Sequence, residues 1–260
     1  MTNVNTTEFL RVVDHAEIFA DFEHCLPTFN SLSISTVLWR IAGLADQFLY
    51  LNDDFCLLQP LRPEDFFDDG IMLVRGEWRL QSSRRPLRWA AEALRRMLHR
   101  DPSQARVRHL TVLERGAQVA GETQRYLRLW HTPYPMRRST LAAFFGQHPD
   151  LLAANLSHRL RSNGQFNPES LAAHLEWRAG TARIDTRLRD VQIKPDKQWT
   201  LRLRAKLRRA DADSRVSFAV IQSLELATAP VHAQLLAWLD RRVGRLEDIV
   251  GKPPEIQPLS

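Results

Sequence analysis

The sequence predicts an α/β fold. Short apolar or alternating segments, typical of strands, recur between segments whose apolar residues are spaced three to four positions apart, as on one face of a helix. The composition agrees, because 260 residues with 44% hydrophobic and 25% charged residues suffice for one large domain, or for one domain with a lobe. No repeat of fixed period is visible, which argues against a solenoid or a propeller.

The first fifty residues contain two predicted strands and a helix. Residues 9–14 are predicted as a short strand, and residues 34–47 as a helix, because their apolar residues repeat at helical spacing. The apolar run at 48–51 is predicted as a buried strand that stops abruptly at Asn52-Asp53-Asp54. Because open α/β sheets bind ligands at the carboxyl ends of their strands, this acidic turn is a candidate site.

The rest of the chain continues the alternation. Helices are predicted at 86–99, 138–146, 168–179 and 230–250, and strands at 107–113, 125–130 and 199–205. The helix at 168–179 is predicted to end at Gly180, since glycine is favoured directly after a helix. A loop is predicted at 131–135, where two prolines follow His131.

Charge and sequence motifs narrow the function classes. The formal net charge is +6 and the isoelectric point is near 9.9, which favours anionic partners such as phosphates, nucleotides, nucleic acid or an acidic membrane surface. A glycine-rich phosphate loop, a CxxC motif and a GxSxG motif are all missing from the sequence. These absences argue against a P-loop enzyme, a thiol redox protein and an α/β-hydrolase.

The sequence also predicts where the chain resides. Its apolar runs are far shorter than the roughly 20 residues that span a bilayer, and residues 1–7 lack the charged and apolar parts of a signal peptide. Cys25 and Cys56 are too few for a disulfide framework or a four-cysteine zinc site. We therefore expect a cytoplasmic protein with reduced cysteines.

Several polar clusters are candidate sites, each with a structural alternative. Asp53 and Asp54 could bind Mg²⁺ or Mn²⁺, which prefer oxygen ligands, or could form a turn or helix cap. His131, held between a strand and two prolines, could act as a general base or phosphate contact, or could bond a carbonyl. The arginines at 157–162 could bind phosphate, and the basic helix at 84–100 could bind a membrane or nucleic acid, but both could be solvated surfaces.

Several of these segments, taken together, resemble the Stealth proteins, the sugar-phosphate transferases of bacterial capsule synthesis. The second conserved block of that family is similar to residues 26–31 (LPTFNS), 40–44 (RIAGL), 48–55 (FLYLNDDF) and 60–67 (PLRPEDFF). The third block is similar to residues 131–135 (HTPYP), and the fourth to 157–161 (SHRLR) with the helix that follows. The blocks occur in family order, and the similarity covers roughly residues 10–180.

The resemblance implies a transferase that moves a sugar 1-phosphate from a nucleotide sugar to the hydroxyl of a sugar or polysaccharide acceptor. It implies a Rossmann-like α/β core at 1–180, with a carboxyl-terminal α/β extension at 181–260. A divalent metal, Mg²⁺ or Mn²⁺, is expected as cofactor. We expect the protein to associate with the inner membrane surface and to form a homo-oligomer. We do not expect nucleic acid as a partner.

The resemblance also implies roles for individual residues. Asp53 and Asp54 match the family's acidic pair and are expected to hold the metal, with Asp54 also catalytic. His131 is expected to act as the base for the acceptor hydroxyl or as a hydrogen-bond donor to the transition state, and Arg161 to grip the phosphate. Further substrate-binding roles are expected for four residues: His15, Asn30, Asn52 and Arg159.

Two departures from the family pattern qualify these expectations. Nothing before residue 10 resembles the first conserved block, so the core is predicted to be incomplete at its amino-terminal side. Gln222 and Ser223 stand where relatives often have Asn and Asp, and Glu225 is the nearest acid. The alternative function is therefore a catalytically inactive or truncated remnant that acts as a binding subunit. A third alternative, a basic protein that binds nucleic acid or a membrane surface, rests on charge alone.

Overall fold

The structure, a computed structural model, describes residues 11–84, 109–195 and 199–244. Its contacts divide these residues into two compact units. The larger unit contains Val13–Leu51 and Arg62–Thr186. The smaller unit contains Arg11, Val12, Asn52–Leu61 and the described residues from Arg187 onward. The chain thus leaves the larger unit for the last time near the predicted boundary at residue 180, but the ten residues at 52–61 group with the carboxyl-terminal part.

The described residues form an α/β protein, as predicted. The strands are β1 (Gln47–Tyr50), β2 (Phe55–Leu57), β3 (Phe67–Asp68), β4 (Ile71–Val74), β5 (Gly76–Leu80), β6 (Arg125–Leu129), β7 (Tyr134–Arg137), β8 (Ala182–Ile184), β9 (Arg189–Ile193) and β10 (Val216–Ile221). The helices are α1 (His15–Ile18), α2 (Ser31–Thr36), α3 (His109–Val119), α4 (Arg138–Gln147), α5 (Pro149–Leu156), α6 (Pro168–Ala179), α7 (Thr200–Ala212) and α8 (Ala229–Val243).

Small sheets and helices build the larger unit. β1 pairs with β7 and β5 with β6, both antiparallel, while β4 lies between antiparallel β3 and parallel β8. Side chains of the helices form the main core, where Phe19, Leu141, Leu156 and Leu171 are fully buried. Burying such side chains contributes about 1.5–3 kcal/mol each. This core supports the loops between β6 and β7 and between α5 and α6.

A parallel strand–helix–strand motif forms the smaller unit. β9 and β10 are parallel and are joined through α7, and β2 pairs antiparallel with β10. The core contains Leu203 and Leu207 of α7 with Leu235 and Trp238 of α8, all nearly or fully buried. β2 belongs here because its backbone is bonded to a strand about 160 residues later in the chain.

Several predicted elements are confirmed. β1, β6, α4 and α6 lie where the pattern predicts them, α8 covers most of the predicted 230–250 helix, and Gly180 follows α6 in the left-handed conformation with φ of 74°. β1 is only half-buried, however, and the last two residues of the loop predicted at 131–135 belong to β7, which continues to Arg137. The predicted helix at 86–99 lies outside the described residues.

Four predicted elements are wrong in type or extent. Residues 11–14 are not a strand, because the Asp14 side chain accepts a hydrogen bond from the Ala16 N–H (2.7 Å) and starts α1. The helix predicted at 34–47 is α2, which ends at Thr36 and is followed by a short 3₁₀ turn. The strands predicted at 107–113 and 199–205 are, where described, the first turns of α3 and α7. Over so few residues a period of 2 cannot be told from a period of 3.6.

His174 is a buried structural histidine of α6. Its Nε2 accepts from the Leu127 N–H at 2.8 Å, and its Nδ1 lies 2.6 Å from the Ser170 carbonyl, so the ring is neutral with the proton on Nδ1. Burial lowers its pKa below the ordinary 6.5, although the Ser170 carbonyl opposes this shift. It therefore ties α6 to β6 through the neutral imidazole.

The neutral form of His174 makes stability depend on pH. Because the folded pKa is lowered, its contribution is present above about 6.5 and is lost as the pH falls towards the lowered folded value. His174→Gln is expected to cost about 1–3 kcal/mol of unfolding free energy at pH 7.5, since the Leu127 N–H loses its acceptor. Urea titrations should show a smaller difference between variant and wild type at pH 5, and a pH-independent difference would contradict this role.

Candidate active site

His131 lies in the loop between β6 and β7, where the resemblance puts a catalytic histidine. Its Nδ1 is 3.0 Å from the hydroxyl of Tyr134, a buried residue of β7. The Tyr134 ring stacks on Tyr50 of β1 with centroids 6.2 Å apart, directly across the β1–β7 pair. The imidazole is thus held through Nδ1, and its Nε2 atom is buried in the structure.

His109 lies beside His131 at the start of α3, a contact that the sequence did not predict. The two rings meet edge to face with centroids 6.5 Å apart. The pKa of His109 is lowered to about 4, first by burial of the ring and then by the nearby charges of His131, Arg161 and Arg128. His109 is nevertheless an exposed residue, and the nearby Arg161 and Arg128 lower its pKa in the same direction as burial. His109 is therefore neutral at pH 7.

Arg161 is brought into the same group by the loop between α5 and α6. Its Nε and one terminal nitrogen donate to the Ser31 hydroxyl at 3.1 and 2.6 Å, while the side chain remains exposed. Ser31 is the first residue of α2, so this helix fixes the guanidinium from one edge. An anchored and solvent-accessible guanidinium is suited to bidentate binding of a phosphate.

Asn30 and Arg159 support the loop that positions Arg161. The Asn30 side chain is fully buried, accepts the Leu32 N–H as the cap of α2, and donates to the His158 carbonyl at 2.9 Å and to Gln165 Oε1 at 2.8 Å. The Arg159 carbonyl accepts from the Phe29 N–H, and its guanidinium lies over the exposed Phe29 ring. These contacts are within the protein, and direct contact of either residue with substrate stays a prediction.

Glu169 is a site residue that the sequence analysis missed. Its side chain, in the first turn of α6, is 5% exposed and lines a small cavity with Arg75, Thr132 and Tyr134. Burial raises the pKa of this carboxyl to about 7, against the opposing effects of its hydrogen bonds and of Arg161. In the sequence, an acid in the first turn of a helix indicates only a favourable dipole interaction. Only its burial distinguishes it.

Asp53 and Asp54 form a turn in the smaller unit, just before β2. The Ile221 N–H, at the end of β10, donates to the Asp54 carbonyl at 2.9 Å. Since β9 is parallel to β10, this turn lies at the carboxyl ends of two parallel strands. Asp53 is exposed and Asp54 is half-buried. The acidic turn thus occupies the edge at which α/β sheets bind ligands.

The remaining predicted residues have simpler surroundings. His15 is exposed at the start of α1, with its ring 6.4 Å from that of Phe19. The Asn52 carbonyl accepts from the Phe55 N–H at 3.2 Å and closes the acidic turn. Ser223 follows β10 in the left-handed conformation, with φ of 58°, and Glu225 lies in the 3₁₀ turn Leu224–Leu226. Among the described residues, no three His, Cys, Asp or Glu side chains are gathered as a metal site.

The larger unit therefore brings together two predicted residues and two unpredicted ones: His131, Arg161, His109 and Glu169. Asn52, Asp53 and Asp54 belong to the smaller unit. Chemically, the first group offers a held imidazole, an anchored guanidinium, a neutral histidine and a buried carboxyl with a pKa near neutrality. The second offers two adjacent carboxylates.

Sequence comparisons agree with the resemblance. Residues 2–74 match the model of Stealth protein conserved region 2. The chain is 35% identical over 185 residues to an exopolysaccharide phosphotransferase of Streptomyces coelicolor, an alignment that covers 66% of this chain and 28% of that protein. It is 42% identical over 66 residues to a capsular polysaccharide phosphotransferase of Streptococcus pneumoniae, covering 25% of this chain and 19% of that protein.

A third relative extends the match further along the chain. The exopolysaccharide phosphotransferase CpsY of Mycobacterium tuberculosis is 28% identical over 204 residues, which cover 77% of this chain and 35% of that protein. The chain thus spans about a fifth to a third of the length of these relatives. The match to conserved region 2 contains His15, Asn30 and the acidic turn, whereas His131 and Arg161 lie beyond it.

Proposed function

The chain contains conserved region 2 of the Stealth proteins, and from this premise we propose that it takes part in sugar 1-phosphate transfer from a nucleotide sugar to a sugar hydroxyl. The relatives named as exopolysaccharide and capsular polysaccharide phosphotransferases support this reaction class. The products would be a phosphodiester-linked saccharide and a nucleoside monophosphate. The setting would be capsule or exopolysaccharide synthesis.

The observation that supports the proposal most strongly is the convergence of His131 and Arg161 in one unit of the fold. They are 30 residues apart in sequence and lie on different loops, yet the His131 ring contacts the His109 ring at 6.5 Å between centroids, and Arg161 is near enough to His109 to lower its pKa. A base and a phosphate-binding cation at one place are the pair that transfer of a phosphoryl group to a hydroxyl requires.

In the proposed reaction the acceptor hydroxyl oxygen attacks the phosphorus that bears the sugar. His131 takes the hydroxyl proton at Nε2, which is buried in the structure and has to become accessible to the acceptor, while Tyr134 holds Nδ1. The bond from that phosphorus to the oxygen of the nucleoside phosphate breaks, and the nucleoside monophosphate leaves with the bonding electron pair. Arg161 binds the oxygens of the transferred group and offsets the negative charge that develops on them.

His109 and Glu169 adjust the charge around these two residues. Because His109 is neutral at pH 7, it adds no positive charge next to a protonated His131. Burial raises the pKa of Glu169 to about 7, so this carboxyl is protonated more often at neutral pH than an exposed glutamate. Its negative charge near Arg161 is reduced accordingly.

Asp53 and Asp54 are the proposed ligands of the divalent metal. The donor set fits Mg²⁺ or Mn²⁺, since such ions are commonly held by one or two carboxylates, with substrate phosphates and water completing the shell. When bound, the ion would neutralise charge on the donor's phosphates. A Rossmann-like core at 1–180 also stays a proposal, because the parallel β9–α7–β10 connection lies in the predicted carboxyl-terminal extension.

Calorimetry with CDP- and UDP-sugars tests donor binding. The chain is expected to bind at least one of them with Mg²⁺ present and at least tenfold more weakly after chelation, because the ion bridges carboxylates and phosphates. Asp53→Asn/Asp54→Asn is expected to abolish the metal dependence and to leave the thermal unfolding midpoint unchanged within a few degrees.

Glu64→Gln, an exposed acid elsewhere in the same conserved region, is the matched control and should bind donors like the wild type. Metal-independent binding, or wild-type behaviour of the double variant, would remove the acidic turn from the site. Donor binding without release of nucleoside monophosphate in the presence of acceptors would favour the binding-subunit alternative.

A further inference from the structure

Helix α7 of the smaller unit has two faces of opposite character. Leu203, Leu207 and Ala210 are buried in the core. On the other side, Leu201 is 70% exposed. Trp199, which directly precedes the helix, is 72% exposed at its amino-terminal end. Single exposed apolar side chains are common on protein surfaces, so these two are informative only together with the charged residues around them.

The exposed side of α7 is organised as an apolar stripe with basic borders. At 100° per residue, Leu201, Ala205 and Ala212 lie in line opposite the buried positions, and all three are exposed. Exposed arginines flank this stripe on both sides: Arg204 and Arg208 on one, Arg202 and Arg209 on the other. We call these seven residues, with Trp199, the α7 surface.

Among the described residues, no acid pairs with the arginines of the α7 surface. The helix contains no acid before Asp211, which accepts hydrogen bonds from Trp238 Nε1 at 2.9 Å and from Arg242 at 3.1 Å. Asp213 is paired with Arg215. Within the part of the chain that the structure describes, the four flanking arginines form no ion pair. The surface therefore presents four charges to an external anionic partner.

We propose that the α7 surface docks the protein on an anionic membrane. Amphipathic helices that lie in the membrane interface combine apolar residues on one line with arginines or lysines at its borders, and tryptophan favours the headgroup level. The arginine side chains can reach phosphates while the stripe contacts acyl chains. A nucleic acid would bind the arginines but would make no contact with the apolar stripe. The stripe therefore indicates a membrane as the partner in preference to a nucleic acid. The described helices include none long and apolar enough to cross a bilayer.

Vesicle co-sedimentation of the full chain tests the proposal. We expect binding to vesicles of phosphatidylcholine and phosphatidylglycerol in equal parts, little binding to phosphatidylcholine alone, and weaker binding as salt increases. Arg204→Gln/Arg208→Gln is expected to lower the partition coefficient roughly 30-fold, at about 1 kcal/mol per basic residue. Trp199→Ser/Leu201→Ser is expected to lower it at least about tenfold by removing apolar contact.

Two exposed arginines of the larger unit provide the matched control. Arg115→Gln/Arg178→Gln removes the same charge and should bind vesicles like the wild type. Circular dichroism should show unchanged helix content in all variants, since glutamine and arginine have similar helix propensities. Equal binding to neutral and anionic vesicles, or no binding at all, would overturn the proposal. So would unchanged binding of both α7 variants, or preferential binding of duplex DNA that Trp199→Ser/Leu201→Ser leaves intact.

Discussion

His131→Ala is expected to lower the turnover rate of sugar 1-phosphate transfer by about 10²–10⁴-fold, the usual contribution of a general base. The Tyr134 hydroxyl at 3.0 Å holds the imidazole in one orientation, and alanine removes the only group proposed to take the acceptor proton. The rate can be followed by ³¹P NMR as the nucleoside monophosphate forms from a CDP- or UDP-sugar. Donor affinity in calorimetry should change little, because the histidine acts on the acceptor.

Tyr134→Phe provides a graded comparison. It keeps the ring that stacks on Tyr50 and removes the hydroxyl that holds Nδ1, so we expect a loss of rate smaller than that of His131→Ala. His148→Ala is the matched control. It removes an exposed histidine that has no role in the proposed reaction, so it should leave the rate unchanged. A His131→Ala enzyme with wild-type turnover would exclude His131 as the base.

Arg161→Ala is expected to lower the turnover rate by about 10²–10³-fold, as for other preorganised donors to a developing charge. Arg161→Lys should recover only part of this loss, because lysine keeps the charge but lacks the planar fork that binds two oxygens at once. Arg161→Ala and Arg161→Lys should also weaken donor binding, unlike His131→Ala. The reason is that Arg161 is proposed to contact the donor's phosphate already in the ground state. Calorimetry and the same ³¹P assay measure the two effects separately.

Ser31→Ala separates the anchoring of Arg161 from its charge. It removes the hydroxyl that accepts from the guanidinium at 3.1 and 2.6 Å but leaves the arginine in place, so a loss of rate of roughly tenfold or less is expected. Arg115→Ala, remote in sequence from the conserved blocks and exposed, is the charge-matched control. If Arg161→Ala and Arg115→Ala behaved alike, Arg161 would not be the phosphate-binding residue.

The candidate site could be predicted in part because some of its determinants are local. The order of the motifs around Asp53, His131 and Arg161 was visible in the sequence, and so were β1, β6, α4 and α6 beside them. His109 and Glu169 could not be found in this way. A histidine at a helix start and an acid in a first helical turn are ordinary in sequence, and only their neighbours give them shifted pKa values.

The sequence by itself determined the α/β class, the positive charge, the family resemblance and the places of β1, β6, α4 and α6. Tertiary structure alone decided the type of residues 109–113 and 200–205, because short segments satisfy both the strand and the helix period. It also decided that β2 pairs with β10 and that Glu169 is buried. The physical reason is that burial and strand pairing depend on residues far away in the chain, whereas propensity and periodicity act between neighbours.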